Sequence, residues 1–209
     1  MPKNFPIHAV NRLRMGTDGC GITSLLTFYG CPLKCKYCLN PQCHDLIPED
    51  FFVSLDDIFK TILLDELYYI ATNGGVTFGG GEPLLYPDAI IAIMNLGAKR
   101  WHTTVETSFY VPFSNIEKVL PYVNDFIIDI KDMNPDIYYK YTGENNSLLI
   151  NNLQLFSKLG FASLALIRIP MIRGFNTIHD IENSKRKLED LGYSNFDIFE
   201  YRIDVTNHQ

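Results

Sequence analysis

The sequence predicts an α/β protein built as an open, partial (β/α)6 barrel of parallel strands. Short β-rich runs alternate with longer amphipathic stretches from residue 22 onward, and no Ser/Gly-rich linker or composition break interrupts them. Strands separated by helices of that length pair in parallel through right-handed crossovers. Six strands can be read, too few for a closed eight-stranded barrel. The 209 residues are read as one domain, 1–209, because single cores stop growing only beyond roughly 250 residues.

Ile22 to Tyr29 (ITSLLTFY) reads as a buried strand, with a cysteine-rich loop leaving its C-terminal end. Ser54 is placed as an N-cap, with Asp56 and Asp57 in the first turn of the helical run LDDIFKTILLDELYYIA, which stops at Asn73-Gly74-Gly75. Further strands are predicted at Val76 to Phe78, His102 to Glu106, Asp125 to Ile130, Leu164 to Ile169 and Phe196 to Tyr201. Helices are predicted near Pro87 to Ala98, Asn115 to Tyr122, Leu148 to Leu159 and Thr177 to Leu191. Such folds take ligands at the C-terminal ends of their strands.

Hydrophobic residues make up 46% and charged residues 20%, enough apolar surface for a full core. A net charge of -6 argues against a sequence-independent grip on nucleic acid, which needs clustered Lys and Arg. The N-terminal stretch MPKNFPIHAVNRLRM lacks the apolar region of a signal peptide, and no run approaches the roughly 20 apolar residues of a membrane span. All five cysteines (Cys20, Cys31, Cys35, Cys38, Cys43) lie in the first quarter of the chain, an odd number that suits metal binding in a reducing compartment. The expectation is a cytoplasmic protein with neither a nucleic-acid nor a membrane partner.

The segment GCPLKCKYCLNP carries C-x3-C-x2-C in Cys31, Cys35 and Cys38. Three thiolates can hold three corners of a four-iron four-sulfur (4Fe-4S) cluster and leave one iron without a protein ligand, where the amino and carboxylate groups of S-adenosylmethionine could chelate. The alternative is a structural zinc site, with Cys43 or His44 as the fourth ligand, in a binding protein. Signals in register at the other strand ends weigh toward the cluster, because a zinc loop predicts nothing about them. Gly79-Gly80-Gly81-Glu82-Pro83 ends one strand; its glycines would let backbone approach a ligand, or form an ordinary turn. Glu106, Thr107 and Ser108 end the next, and Asp129 and Lys131 (FIIDIKDMN) the one after. An Asp-x-Lys spacing places both side chains on one face of a strand, to bind each other, a cation or a ligand carboxylate. Arg168 interrupts the apolar run LALIRIP with a fork of donors suited to a carboxylate or ribose.

Taken together, GCPLKCKYCLNP, FGGGEPLL, VETS, FIIDIKDMN and IRIPMIRGFN resemble the radical S-adenosylmethionine superfamily from about Thr17 to about Tyr201, and within it the activating enzymes of glycyl radical enzymes. The cysteine motif with an aromatic residue before its last cysteine is the most specific part. The resemblance implies that Cys31, Cys35 and Cys38 ligate one oxygen-sensitive cluster and that Tyr37 lies near the adenine. It brings Gly80, Gly81 and Glu82 to the methionyl amino group, Glu106 and Asp129 to a monovalent-cation site, and Ser108, Lys131 and Arg168 to the cofactor. The implied reaction is reductive cleavage of S-adenosylmethionine to methionine and a 5′-deoxyadenosyl radical, which takes a hydrogen atom from a glycine of a partner enzyme, with a flavodoxin or ferredoxin as reductant. A second reading keeps the cluster and changes the substrate to a small molecule or a ribosomally made peptide. The chain departs from the activase pattern at Cys20, where a DGPG-like loop has Pro, at Arg173, where a VPG-like turn has Pro, and at Ser108-Phe109, which replaces Asn-Gly. It ends just beyond the sixth strand, without the C-terminal segment of longer activases, which implies an open barrel mouth. Cys20 and Cys43 are too few to build further inserted clusters and read as packing or loop thiols.

Overall fold

The structure is a computed structural model that describes residues 4–44, 52–97 and 100–200. The predicted helix and strand ends at Ala98 and Tyr201 lie outside the described residues. Six strands run parallel: β2 (Ile22–Phe28), β4 (Gly75–Gly80), β5 (His102–Thr107), β6 (Asp125–Asp129), β7 (Ala165–Met171) and β8 (Phe196–Glu200). Helices α1 (Leu55–Leu63), α2 (Glu66–Thr72), α3 (Pro87–Leu96), α4 (Phe113–Val119), α5 (Pro135–Thr142), α6 (Ser147–Lys158) and α7 (Ile178–Asp190) connect them. The partial barrel is therefore as predicted.

Two antiparallel strands, β1 (Asn4–Met15) and β3 (Phe52–Ser54), extend one edge to give the order β3-β1-β2-β4-β5-β6-β7-β8. The sequence reading missed both. Pro6 sits inside β1, and register breaks between Ile7 and Ala9 and between Asn11 and Arg14 scramble the two-residue alternation that marks a strand. The run from Leu55 to Ala71 is not one helix either. It breaks at Asp65, whose buried carboxylate receives Arg12 Nε at 2.7 Å, Arg12 Nη2 at 2.6 Å and Ser24 Oγ at 3.3 Å, tying the α1–α2 junction to β1 and β2. The two predicted ends of that run are present: Ser54 Oγ accepts from Asp57 N, and Asn73 adopts the left-handed conformation that stops α2.

Alternation along the strands separates two environments. Leu26, Phe28, Val76, Phe78, Val105, Phe126, Ile128, Ile167 and Ile169 face the helices and join one continuous core with Ile90, Ile116, Leu153, Phe156 and Leu188. The intervening residues, including Thr27, Thr77, Thr104, Glu106, Asp129 and Arg168, face the barrel interior, which is polar. The loop after β1 lies across that interior: Thr77 Oγ1 donates to Asp18 O, Arg168 Nη2 donates to Thr17 O at 2.8 Å, and Gly19 packs against Thr104. Among the described residues no helix is long and apolar enough to cross a membrane.

Hydrogen bonds from Arg12 hold the Asp65 carboxyl below the usual carboxylate range. A depressed native pKa stabilises the fold above the unfolded value, about 3.9, and that contribution is lost as pH falls through the native value. Asp65→Asn should therefore lower Tm at neutral pH and flatten the acid limb of a Tm-against-pH curve below about pH 4; an acid limb superimposable on that of the parent protein would rule the clamp out as its source.

Candidate functional site

The cysteine loop leaves β2 through Gly30 and is fastened on two sides. Gly30 N donates to Cys43 O at 2.8 Å, and Lys34 N and Lys36 N donate to Thr142 O at 2.9 Å and Tyr141 O at 3.0 Å, the last carbonyls of α5. Leu33 is buried between these anchors. So held, Cys31, Cys35 and Cys38 line one cavity of about 140 Å³ at the C-terminal ends of the strands, facing Gly80, Gly81, Asp129 and Lys131. Burial pushes the Cys31 thiol up to about 12 and raises Cys35 as well, so both are protonated until something binds them and displaces the proton.

The GGEP segment is glycine-rich because two backbones meet there. Gly81 N donates to Phe28 O at 2.9 Å and Glu82 N to Gly30 O at 2.7 Å, so β4 pairs with β2 as far as the start of the cysteine loop. A Cβ on Gly80, whose φ is +97°, would lie 2.6 Å from Thr27 Cβ, and one on Gly81 would run into Gly30 O. The Gly80 carbonyl accepts from Asn40 Nδ2 at 3.2 Å. Glu82 does not present a charge to the cavity. Its buried carboxylate accepts from Leu84 N at 3.1 Å, Thr107 Oγ1 at 2.7 Å, Ser108 N at 2.9 Å and Ser108 Oγ at 2.6 Å. It locks the end of β4 to the end of β5, which takes the Ser108 hydroxyl inward with it. Phe109, at the position where the resemblance has Gly, keeps a left-handed backbone (φ 57°) and buries its ring against Phe126 and Phe156.

Asp129 and Lys131 are brought together as predicted, by a different route. β6 ends at Asp129, so strand alternation does not align them; Lys131 adopts φ 62° and turns its Nζ back to Asp129 Oδ2 at 2.9 Å. Burial pulls the Lys131 pKa down, but Asp129 outweighs it and holds the ammonium well above its ordinary value. The other oxygen, Asp129 Oδ1, is buried without a hydrogen-bond partner, a costly state unless something binds it. Arg168 is engaged by the protein itself, pairing with Glu106, with Thr17 O and with Asp197 Oδ2 at 3.3 Å. Burial raises the Glu106 pKa, and Arg168 opposes that rise. Glu106, Asp129 and Arg168 also line a second, adjoining cavity of about 490 Å³ inside the barrel, which shares Leu39, Asn40 and Gly80 with the first.

Tyr37 is not a wall of either cavity: it packs edge-on to Tyr141 and Phe175, and Tyr141 supplies the aromatic wall of the thiol cavity. Cys43 is buried away from the thiol cavity and His44 is exposed. Cys20 is exposed in the loop across the interior. Among the described residues no three His, Cys, Asp or Glu side chains converge on a single-ion site. Three thiols spread along one loop, with an unpartnered carboxylate oxygen and a buried ammonium opposite, fit a multi-iron cluster carrying a zwitterionic ligand. The sequence reading missed Tyr141, Leu39 and the hydrogen bond of Asn40; for the last two the signal was their place directly after the motif cysteines.

Comparison with known proteins identifies the family. The Radical SAM superfamily model matches residues 25–188. The trans-4-hydroxy-L-proline dehydratase activating enzyme of Clostridioides difficile is 29% identical over 83% of this chain and 76% of its own length. The pyruvate formate-lyase-activating enzyme of Clostridium pasteurianum is 31% identical over 74% of this chain and 64% of its own. Among solved structures, Streptococcus suis SuiB bound to S-adenosylmethionine superimposes with a TM-score of 0.64 at 18% identity, over 88% of this chain and 43% of that one, a likeness of fold. The chain thus spans less than half of that solved protein. Because the family match covers most of its length, the chain belongs to the Radical SAM superfamily, whose members work with a 4Fe-4S cluster and S-adenosylmethionine.

Proposed function

We propose that this chain is an activating enzyme that installs a glycyl radical on a partner enzyme. The observation that carries the reading is the meeting of Cys31, Cys35 and Cys38 with Gly80, Gly81, Asp129 and Lys131 in one cavity at the strand ends; the activating enzymes among its relatives favour a glycine of a macromolecule as the target. The cluster and S-adenosylmethionine supply one-electron cleavage of a carbon–sulfur bond, giving methionine and a 5′-deoxyadenosyl radical that leaves with a glycine Cα hydrogen as 5′-deoxyadenosine. Cys31, Cys35 and Cys38 hold the cluster and leave one iron to the ligand.

Lys131 offers the ligand carboxylate a fixed positive charge. Gly80 and Gly81 keep the backbone low enough for the methionyl end to approach, with Glu82 and Ser108 fixing that turn from behind. Asp129, with one oxygen on Lys131 and one unpartnered, is the better placed carboxylate for a monovalent cation; Glu106 joins it only if Arg168 shares its grip. Tyr37 and Arg168 reach the cofactor by moving from the partners they have here. The electron comes from a flavodoxin or ferredoxin in the reducing cytoplasm, and the whole chain acts as one domain.

Anaerobically reconstituted protein should carry about four iron and four sulfide per chain, and Cys35→Ser should lose most of both in a colorimetric assay; colourless parent protein with about one zinc per chain would replace the cluster by the zinc reading. Asp129→Asn should weaken S-adenosylmethionine binding about tenfold or more, the worth of one charge-assisted contact, and should abolish any potassium dependence in a titration; unchanged affinity and unchanged salt response would remove Asp129 from the site. Reduced protein mixed with S-adenosylmethionine and a candidate glycyl radical enzyme should give a glycyl radical doublet by electron paramagnetic resonance. S-adenosylmethionine turnover with no such doublet, and a mass change in a short peptide instead, would shift the substrate class.

A further inference from the structure

The elements that hold the thiol loop carry four exposed cations: Lys34 and Lys36 on the loop itself, Lys140 on α5, and Arg173 in the turn after β7. They share one neighbourhood. Lys34 N and Lys36 N donate to Thr142 O and Tyr141 O, the carbonyls that follow Lys140. Phe175, at the end of the turn that carries Arg173, packs its ring against Tyr37 of the loop at 5.6 Å and Tyr141 of α5 at 5.1 Å. Among the described residues none of the four cations makes an ion pair or a side-chain hydrogen bond. Elsewhere, apart from Lys118 and Lys158, the described Lys and Arg side chains have acceptors, as Arg12 has Asp65, Arg100 has Glu66 and Lys187 has the Met133 carbonyl. The whole chain is acidic, with 24 Asp and Glu against 18 Lys and Arg, so positive charge left unneutralised is concentrated where the thiols are. The C-terminal end of α5 accommodates the lysines. Arg173, in a separate turn and at a position where the resemblance has Pro, adds a charge that the helix does not call for. Leu39, next to Cys38, and Tyr139, next to Lys140, are 74% and 61% exposed and add apolar surface to the same segments.

We infer that Lys34, Lys36, Lys140 and Arg173 form the docking face for an acidic one-electron carrier protein. Complementary charge of this kind steers encounter, and redox pairs use small, weak interfaces of mixed charged and apolar character. None of the four lines the thiol cavity or the adjoining interior cavity, so they are not placed to hold the cofactor. A substrate enzyme has to bring its glycine into that interior, whereas a carrier needs only to come close to the thiols, and Lys34 and Lys36 flank Cys35. On docking, the reduced carrier loses one electron to the cluster behind the loop, and no bond is made or broken. The inference rests on the assignment of Cys31, Cys35 and Cys38 as cluster ligands and is independent of what the radical acts on.

The test compares anaerobically reconstituted parent protein with a variant carrying Lys34→Gln, Lys36→Gln, Lys140→Gln and Arg173→Gln, changes that leave the backbone hydrogen bonds of the loop available. Reduced flavodoxin and, in a parallel series, reduced ferredoxin are the probes, and reduction is followed by rapid mixing and electron paramagnetic resonance. At about 0.01 M salt, where charges act over about 30 Å, the variant should be reduced about tenfold more slowly or worse. At about 1 M salt, where that reach is about 3 Å, the two rates should converge, and dithionite should reduce both proteins to the same extent. Equal rates with equal salt dependence would overturn the inference, as would parent protein that dithionite reduces and neither carrier does. A second measurement needs no variant and decides alone if the variant does not retain iron: carbodiimide coupling of carrier carboxylates to parent lysines, mapped by mass spectrometry. Coupling at Lys34, Lys36 and Lys140 in preference to Lys118 and Lys158 supports the docking face. No such preference, or coupling of these lysines to a candidate glycyl radical enzyme and not to a carrier, overturns it. Parent protein that takes up no iron would instead bring down the cluster assignment, and the inference with it, a failure distinguished by the iron count.

Discussion

The site depends on the close approach of two backbones, the end of β4 and the start of the cysteine loop. The hydrogen bonds Gly81 N to Phe28 O and Glu82 N to Gly30 O carry parallel pairing beyond the last residues of β2. Only glycine allows it at 80 and 81, because any side chain would strike Thr27 or Gly30. This contact places the thiol loop beside the strand ends rather than above them. Glu82 then transmits the placement sideways to β5, and α5 holds the loop from the far side. Cluster-binding and ligand-binding groups thus share one cavity because three separate elements are stitched to a single turn.

Much of this was legible in the sequence. The cysteine spacing and the glycine run are tied to chemistry that few other residues can supply, and Cys31, Cys35, Cys38, Gly80 and Gly81 do line one cavity at the strand ends. Glu82 shows the limit. Its charge was visible, but whether a carboxylate faces a ligand or its own scaffold depends on donors 25 and 26 residues away, at Thr107 and Ser108. Asp129 and Lys131 meet for a reason the spacing did not contain, a left-handed backbone at Lys131 that only the surrounding fold can impose.

The missed elements have local explanations. β1 was hidden by Pro6 and two register breaks. The break between α1 and α2 was hidden because Asp65 looks helical until Arg12 and Ser24 are brought to it. α5 was the avoidable omission: Asn134 with Pro135 after it and Gly143 beyond the last turn are ordinary start and stop signals, obscured by β-favouring tyrosines at 138, 139 and 141.

The loop after β1 gives the barrel a floor. With Asp18, Gly19 and Thr17 laid against Thr77, Thr104 and Arg168, the interior is divided into a chamber that opens toward the thiols and a smaller one on the opposite side. The upper chamber shares Leu39, Asn40, Gly80, Glu106 and Asp129 with the thiol cavity, so the two are adjoining parts of one interior. The Thr17–Gly19 loop thus parts the thiol side of the barrel from the Cys20 side, so a reactive species made among the thiols has polypeptide beneath it.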